Sequence, residues 1–193
     1  WIPMEAGAAQ IEKNGSPSPP TVVDAIRQYG VAYKGPITTP VGTGFRSVNV
    51  VMRRELDLYA NVRPSKTYPN VPSRYKDIDL VVVRENTEGL YAGVEHMIGD
   101  VAAESIKILT KAGCERIVRY AFDYAVKNSR KKVTAVHKAN IMKCTDGMFL
   151  RIAREIAPEY PQIEFDDMII DALCMRLVQT PEKFDVLVMP NLY

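Results

Sequence analysis

LVVVRENTEGLY, residues 80–91, is the stretch on which the fold turns. Leu80 to Val83 form a short, almost wholly apolar run of mainly β-branched residues, the pattern of a strand buried on both faces. A polar segment, Arg84-Glu85-Asn86-Thr87-Glu88, follows at once and ends in Gly89. The exits of buried parallel strands are where α/β proteins place their sites, so this single stretch predicts both a sheet and a polar cluster at its edge.

Outward from it, Val133 to His137 and Phe184 to Met189 repeat the apolar strand pattern. Helical periodicity predicts helices over 102–112, 116–128, 148–156 and 168–178, with Pro158 and Pro181 as stops. Upstream, residues 14–20 (NGSPSPP) predict a loop, because successive prolines fix φ and remove backbone donors. Thr21 then caps a short helix over 22–29 bounded by Gly30, and residues 31–40 predict a strand running into a turn rich in Gly, Pro and Thr. From 46 to 59 the apolar residues Val48, Val51, Met52, Leu56 and Leu58 recur at mostly helical spacing among charged ones, which predicts an amphipathic helix. Strands alternating with helices imply an α/β protein with a largely parallel sheet. Residues 91–98 fit that alternation least and could pair as a strand beyond the main sheet, an excursion of the kind that often serves an interface.

Composition bounds the function. The chain of 193 residues is 47% hydrophobic and 25% charged, an ordinary globular balance able to bury a core. With 25 Lys and Arg against 23 Asp and Glu, the formal charge of +2 is too balanced to suggest a nucleic-acid or membrane-surface partner. Cys114, Cys144 and Cys174 have no C-x-x-C spacing, so neither a disulfide framework nor a structural zinc site is indicated, and a reducing compartment fits best. No apolar run reaches the roughly 18 residues of a membrane span, and no signal-peptide pattern opens the sequence.

Several residue groups could carry chemistry. The segment TTPVGTGFRSVN, residues 38–49, brings Ser47 and Asn49 to a helix start, which suits a carboxylate or phosphate, although the same residues serve equally as a plain helix cap. Arg53, Arg63 and Arg84 each stand beside an element boundary; converging guanidinium forks would select a di- or tricarboxylic acid, whereas singly each is an ordinary surface charge. Tyr91 is either a proton donor or a packed ring with a polar end. In His137-Lys138-Ala139-Asn140 the lysine is a candidate base at a strand exit or a solvated charge, and the histidine a satisfied, partly buried one. Asp166, Asp167 and Asp171 gather around an expected helix start; carboxylates suit Mg²⁺ or Mn²⁺, but helix starts attract aspartate anyway.

Four stretches, KGPITTPVGTGFRSVNVVMRRELDLYANVRP (34–64), VVVRENTEGLYAGVEH (81–96), VHKANIMKCTDG (136–147) and IIDALCMRLVQTPEKFDVLVMPNLY (169–193), together resemble the isocitrate and isopropylmalate dehydrogenase family, the β-decarboxylating dehydrogenases. The resemblance implies that family's two-domain α/β fold, with residues 1–58 belonging to the large, dinucleotide-side domain and 59–193 forming the small domain with a dimer-interface excursion near 90–111. It implies that Ser47, Asn49, Arg53, Arg63 and Arg84 hold the substrate's carboxylates, that Tyr91 and Lys138 are the catalytic pair, that Thr38, Thr39 and Asn140 lie near the nicotinamide, and that Asp171 is a metal ligand. Lys138 and Asp171 would act in a neighbouring subunit's pocket, which requires a homodimer or higher oligomer.

The R-S-V-N motif favours isocitrate, with homoisocitrate and isopropylmalate as alternatives; NAD is the expected hydride acceptor over NADP, and Mg²⁺ or Mn²⁺ the expected metal. A non-catalytic regulatory subunit of an isocitrate dehydrogenase would share the pattern but tends to lose the catalytic Tyr or Lys, both present here. No G-x-G-x-x-G fingerprint contradicts the assignment. The family's opening G-D-G-I-G-P turn and its downstream G-D-x-x-S-D segment are not in the sequence, so the chain is expected to be an internal piece, incomplete at both ends and inactive alone. The bacterial cytoplasm or the mitochondrial matrix is the expected compartment.

Overall fold

The computed structural model describes residues 1–16, 20–39 and 47–193. Contacts divide the chain into two compact units, Trp1–Leu58 and Tyr59–Tyr193. The first holds helices α1 (Ala8–Asn14), α2 (Pro20–Tyr29) and α3 (Val48–Glu55). Its small core is Val22, Val48 and Met52, with Ala6, Ile26 and Ile37 packed against them. Arg27 Nη2 donates to the Glu55 carbonyl at 2.9 Å and ties the end of α2 to the end of α3.

Several boundaries here differ from the sequence expectation. α2 starts at Pro20, which suits the first helical position because its missing N–H would be unpaired there, and so Thr21 lies inside the helix rather than capping it. Residues 31–39 form no strand. The helix expected over 46–59 runs only from Val48 to Glu55, since Asp57 takes a left-handed φ of 46° and Leu58 is exposed. Pro40 and the glycine turn at Gly42 and Gly44 lie outside the described residues.

The second unit is a five-stranded mixed sheet in the order β1-β2-β7-β5-β6, formed by β1 (Ala60–Lys66), β2 (Asp79–Glu85), β7 (Val186–Met189), β5 (Lys132–His137) and β6 (Glu164–Ile169). β2, β7, β5 and β6 run parallel, and β1 is antiparallel to β2. Sequence reading misses β1 because Pro64 sits inside it; a proline is tolerated on this outer strand, where a missing donor can face away from the ladder.

The period-two alternation of strands divides the core. Val81, Val83, Val133, Ala135, Val186 and Val188 face helices α4 (Lys111–Lys127) and α5 (Thr145–Ile156). Val136, Leu187 and Met189 face the other way, into a smaller cluster with Leu173 of α6 (Ile170–Gln179). Thr110 caps α4 by accepting from the Gly113 N–H at 3.0 Å, and the buried positions Cys114, Ile117, Val118, Ala121, Phe122 and Ala125 recur at three- and four-residue steps along one face. Phe122 is fully buried and stacks on Tyr160 with ring centroids 4.9 Å apart.

β3 (Gly89–Ile98) and β4 (Ala102–Ile108) make a separate antiparallel ribbon. The expectation of a strand over 91–98 beyond the main sheet is met. The helix expected over 102–112 is not: the chain is extended to Ile108, and α4 begins at Lys111. Pairing with β3, including the His96–Glu104 cross-strand contact at 2.8 Å, overrides a local helical pattern built from Ala, Glu and Lys. The helix expected over 168–178 likewise begins two residues later than predicted, because the chain from Glu164 to Ile169 is committed to β6 alongside β5.

Candidate active site

The exit of β2 gathers a polar array. Asn61 on β1 stands opposite Arg84 on β2, and Arg63 shares a face with Asn61 two residues on. Arg63 Nε donates to Asn61 Oδ1 at 3.0 Å, while Asn61 Nδ2 and Arg84 Nη2 both donate to Asn86 Oδ1, at 3.5 and 3.3 Å. The Arg84 guanidinium lies 6.0 Å from the centre of the Tyr91 ring. Arg63, Arg84 and Tyr91 are therefore brought together, with two asparagines bridging the arginines. Asn61 and Asn86 are absent from the sequence-based candidates; the signal that could have found them is their place two residues from an arginine already singled out.

The turn that delivers Tyr91 is held from within. Glu85 is buried, and its carboxylate accepts from the Thr87 N–H and Oγ1 at 2.8 and 2.6 Å and from the Glu88 N–H at 2.9 Å. Gly89 takes φ 77°, and a Cβ placed there would meet the Asn191 Cβ at 3.2 Å, so the position needs glycine both for its dihedral and for the close approach.

At the exit of β5, Lys138 Nζ bonds the carboxylate of Asp171 in the first turn of α6. That hydrogen bond and the lysine's charge hold the Asp171 carboxyl below its ordinary range. Parallel β2, β7 and β5 put this pair at the same end of the sheet as Arg84, two strand spacings away, about 10 Å by ordinary sheet geometry. Asn140 is exposed in the turn after Lys138. His137 proves a satisfied core histidine: its Nδ1 accepts from the Ala139 N–H at 3.0 Å, and its Nε2 lies 3.1 Å from Asp167 Oδ1.

The acidic group expected around one helix start is dispersed. Asp166 and Asp167 belong to β6 and point to opposite faces; Asp166 pairs with Lys132 at 2.8 Å, and Asp167 with Arg154 at 2.8 Å. Burial pushes the Asp167 carboxyl up, but hydrogen bonds from Arg154 and His137 outweigh it and leave the group lowered. Among the described residues no three His, Cys, Asp or Glu side chains come together as a metal site. Asp171 offers the right kind of oxygen for Mg²⁺ or Mn²⁺, as one carboxylate of a shell that water and substrate oxygens commonly complete.

In the first unit, Ser47 occupies the position before α3 without a side-chain capping bond. Asn49 and Arg53 lie one turn apart on the same face of that helix. Among the described residues, the buried Asn49 Oδ1 has no hydrogen-bond partner. Thr38 and Thr39 lie upstream in a stretch without regular secondary structure, Thr38 exposed and Thr39 half-buried.

The arrangement matches known proteins along the whole chain. The family model described as isocitrate/isopropylmalate dehydrogenase matches residues 1–193. Two mitochondrial NAD isocitrate dehydrogenase subunits of Arabidopsis thaliana, regulatory subunit 1 and catalytic subunit 6, are each 53% identical, over 175 and 171 residues, covering 91% and 89% of this chain and 48% and 46% of their own. The crystal structure of isocitrate dehydrogenase from Methylococcus capsulatus superposes with a TM-score of 0.95 at 57% identity, covering 98% of this chain and 57% of that one. The chain thus spans about half the length of the relatives it matches. With the family match running from Trp1 to Tyr193 and a strand-exit array of arginines, tyrosine and lysine in place, the chain belongs to the isocitrate/isopropylmalate dehydrogenase family.

Proposed function

We propose that the protein containing this chain oxidatively decarboxylates isocitrate to 2-oxoglutarate, with NAD as the hydride acceptor. The observation that carries the reading is the bridged pair Arg63 and Arg84 beside Tyr91 at the β2 exit. Two guanidinium groups held by asparagines present a pre-set fork for carboxylates, and pre-set binding leaves less freedom to be lost when the acid docks. In this reading Arg53, one helical turn from Asn49, adds a third cation, and the Ser47 hydroxyl and the Asn49 side-chain NH₂, both donors, suit a third carboxylate arm rather than an alkyl side chain.

The proton chemistry falls to Lys138 and Tyr91. Lys138, released from its bond to Asp171 and in its neutral amine form, assists removal of the hydroxyl proton as the carbinol C–H leaves as hydride to NAD; the oxidised acid then loses its β-carboxylate as CO₂, and the Tyr91 O–H returns a proton to the carbon left behind. Residues 1–58 belong to the large, dinucleotide-side domain and residues 59–193 to the small domain, with Thr38, Thr39 and Asn140 near the nicotinamide and Arg63 and Arg84 of the small domain among the acid-binding residues. No step is assigned to a metal ion; Asp171 contributes one carboxylate toward Mg²⁺ or Mn²⁺ alongside ligands from elsewhere.

Lys138 and Asp171 act across a subunit boundary in a homodimer or larger assembly. The exposure of Ile141, Met175 and Val178 around the same turn and helix supports that reading, since apolar side chains beside a charged site favour a covered surface. The mitochondrial names of the Arabidopsis relatives support a matrix location.

A second reading, a regulatory subunit, draws on the equal identity to a regulatory and a catalytic relative. The presence of Tyr91, Lys138 and Asp171 together favours catalysis. Arg84→Ala in an enzyme containing this chain should raise KM for isocitrate by roughly ten- to a hundredfold, the loss of one charged bidentate contact. An unchanged KM would remove Arg84 from the pocket. Faster turnover of isopropylmalate or homoisocitrate than of isocitrate by the unmodified enzyme would overturn the substrate.

A further inference from the structure

We infer that Asp146, with Lys107 and Tyr193, is a positioning device for Lys138, an inference that rests on the proposed catalytic role of that lysine. Asp146 is fully buried at the start of α5. Its Oδ1 accepts from the Lys138 backbone N–H at 2.9 Å and from the Tyr193 hydroxyl at 2.6 Å; its Oδ2 accepts from Lys107 Nζ at 2.6 Å and Thr145 Oγ1 at 3.2 Å. Lys107 Nζ also donates to the Tyr193 hydroxyl at 3.0 Å and sits 4.6 Å from the centre of that ring. The carboxylate is thus saturated by donors from four separate places in the chain.

The grip on Lys138 is two-sided. While Asp146 holds its N–H, its carbonyl accepts from the Ile141 and Met142 N–H groups at 3.0 and 2.9 Å, and the Asp146 N–H closes the turn on the Met142 carbonyl at 3.1 Å. Both peptide groups flanking the Lys138 Cα are therefore fixed, and with them the direction in which the side chain leaves the sheet. Buried ion pairs add little net stability over apolar packing of the same shape, so the consequence of this one is fixed geometry. A displaced catalytic group loses rate steeply with distance.

Lys107 gives the device its reach. It is the one residue of β4 that is not exposed, and its ammonium docks that strand on Asp146 and Tyr193 of the main body. Movement of the ribbon would be transmitted through the Lys107 ammonium to Asp146 and so to Lys138. Among the described residues, Asp146 hydrogen-bonds none of the proposed substrate-binding residues, and it reaches the site through the Lys138 backbone.

The test compares Lys107→Met, Tyr193→Phe and Lys138→Met in an active enzyme containing this chain, by steady-state kinetics with isocitrate and NAD. Lys107→Met should lower kcat roughly ten- to a hundredfold with KM for the acid changed by less than about threefold, and Lys107→Arg should restore part of it. Tyr193→Phe, which keeps the ring and removes one donor, should show the same split at about three- to tenfold and covers the case in which Lys107→Met does not fold. Normal kcat in either folded variant, or a loss confined to KM, would overturn the device while leaving the role of Lys138 standing. Full turnover by Lys138→Met would instead remove the catalytic reading on which it rests.

Discussion

The sheet with its α4–α5 layer and the β3–β4 ribbon are built from similar residue types and held by different physics. In the sheet, Val81, Val83, Val133, Val186 and Val188 are wholly buried, and each side chain is constrained by the packing around it. In the ribbon, Val94, Met97, Ile98, Val101, Ile106 and Ile108 are exposed, and order comes from backbone pairing, from the partly buried start of β3 at Gly89 to Ala92, and from the Lys107 anchor on β4. An apolar residue therefore means core in one region and, in the other, a surface whose value depends on what covers it.

The sharpest way to probe that contrast is to truncate one side chain in each region. Phe122→Ala should destabilise the second unit by about 3–5 kcal/mol, since a fully buried aromatic ring is lost with its Tyr160 stack and the helix and sheet around it can close in only partly. Denaturant unfolding measures it, and a loss below about 1 kcal/mol would mean that this layer packs differently.

Ile106→Thr should shift stability by no more than about 0.5 kcal/mol at protein concentrations where the chain is monomeric. The same substitution should weaken self-association at higher concentration if the ribbon is shared between copies, as the shared-site reading expects; sedimentation across a concentration series separates the two effects. A large loss in the dilute monomer would contradict the picture of a ribbon held by its backbone.

The contrast also explains what could be read from the sequence. Strands buried on both faces announce themselves: Leu80 to Val83 and Val133 to His137 have no other use for so many branched apolar residues. The ribbon's β4 does not, because Ala102-Ala103-Glu104-Ser105-Ile106-Lys107 is locally as good a helix as a strand, and only the partner strand decides. β1 hid behind Pro64, harmless on an outer strand. Only the end of β6 reads as the front of a helix, because Met168, Ile169 and Ile170 run into α6 without a breaker between them.

The site divides along the same line. Arg84 and Tyr91, and Lys138, follow directly on legible strands, so their place at a sheet edge was predictable. Asn61, Asn86, Lys107, Asp146 and Tyr193 were not, because a hydrogen-bond bridge or a buried charge cluster forms between residues far apart in sequence and leaves no periodic trace. Asp146 makes the point: burial pushes its carboxyl up, hydrogen bonds from Lys107, Tyr193 and the Lys138 N–H pull it down, and the net result is a lowered group in the core. Asp171, a near neighbour in role, is exposed and lowered by Lys138 first of all. One aspartate fixes the lysine's backbone and the other meets its ammonium group.

The central claim is that Tyr91 delivers a proton after decarboxylation while the arginine array binds the acid. It is tested most directly by Tyr91→Phe in an active enzyme containing this chain, followed as isocitrate-dependent reduction of NAD. A fall in kcat of roughly a hundredfold or more, with KM for isocitrate within about threefold of the unmodified enzyme, is the expected result. An unchanged kcat would contradict it.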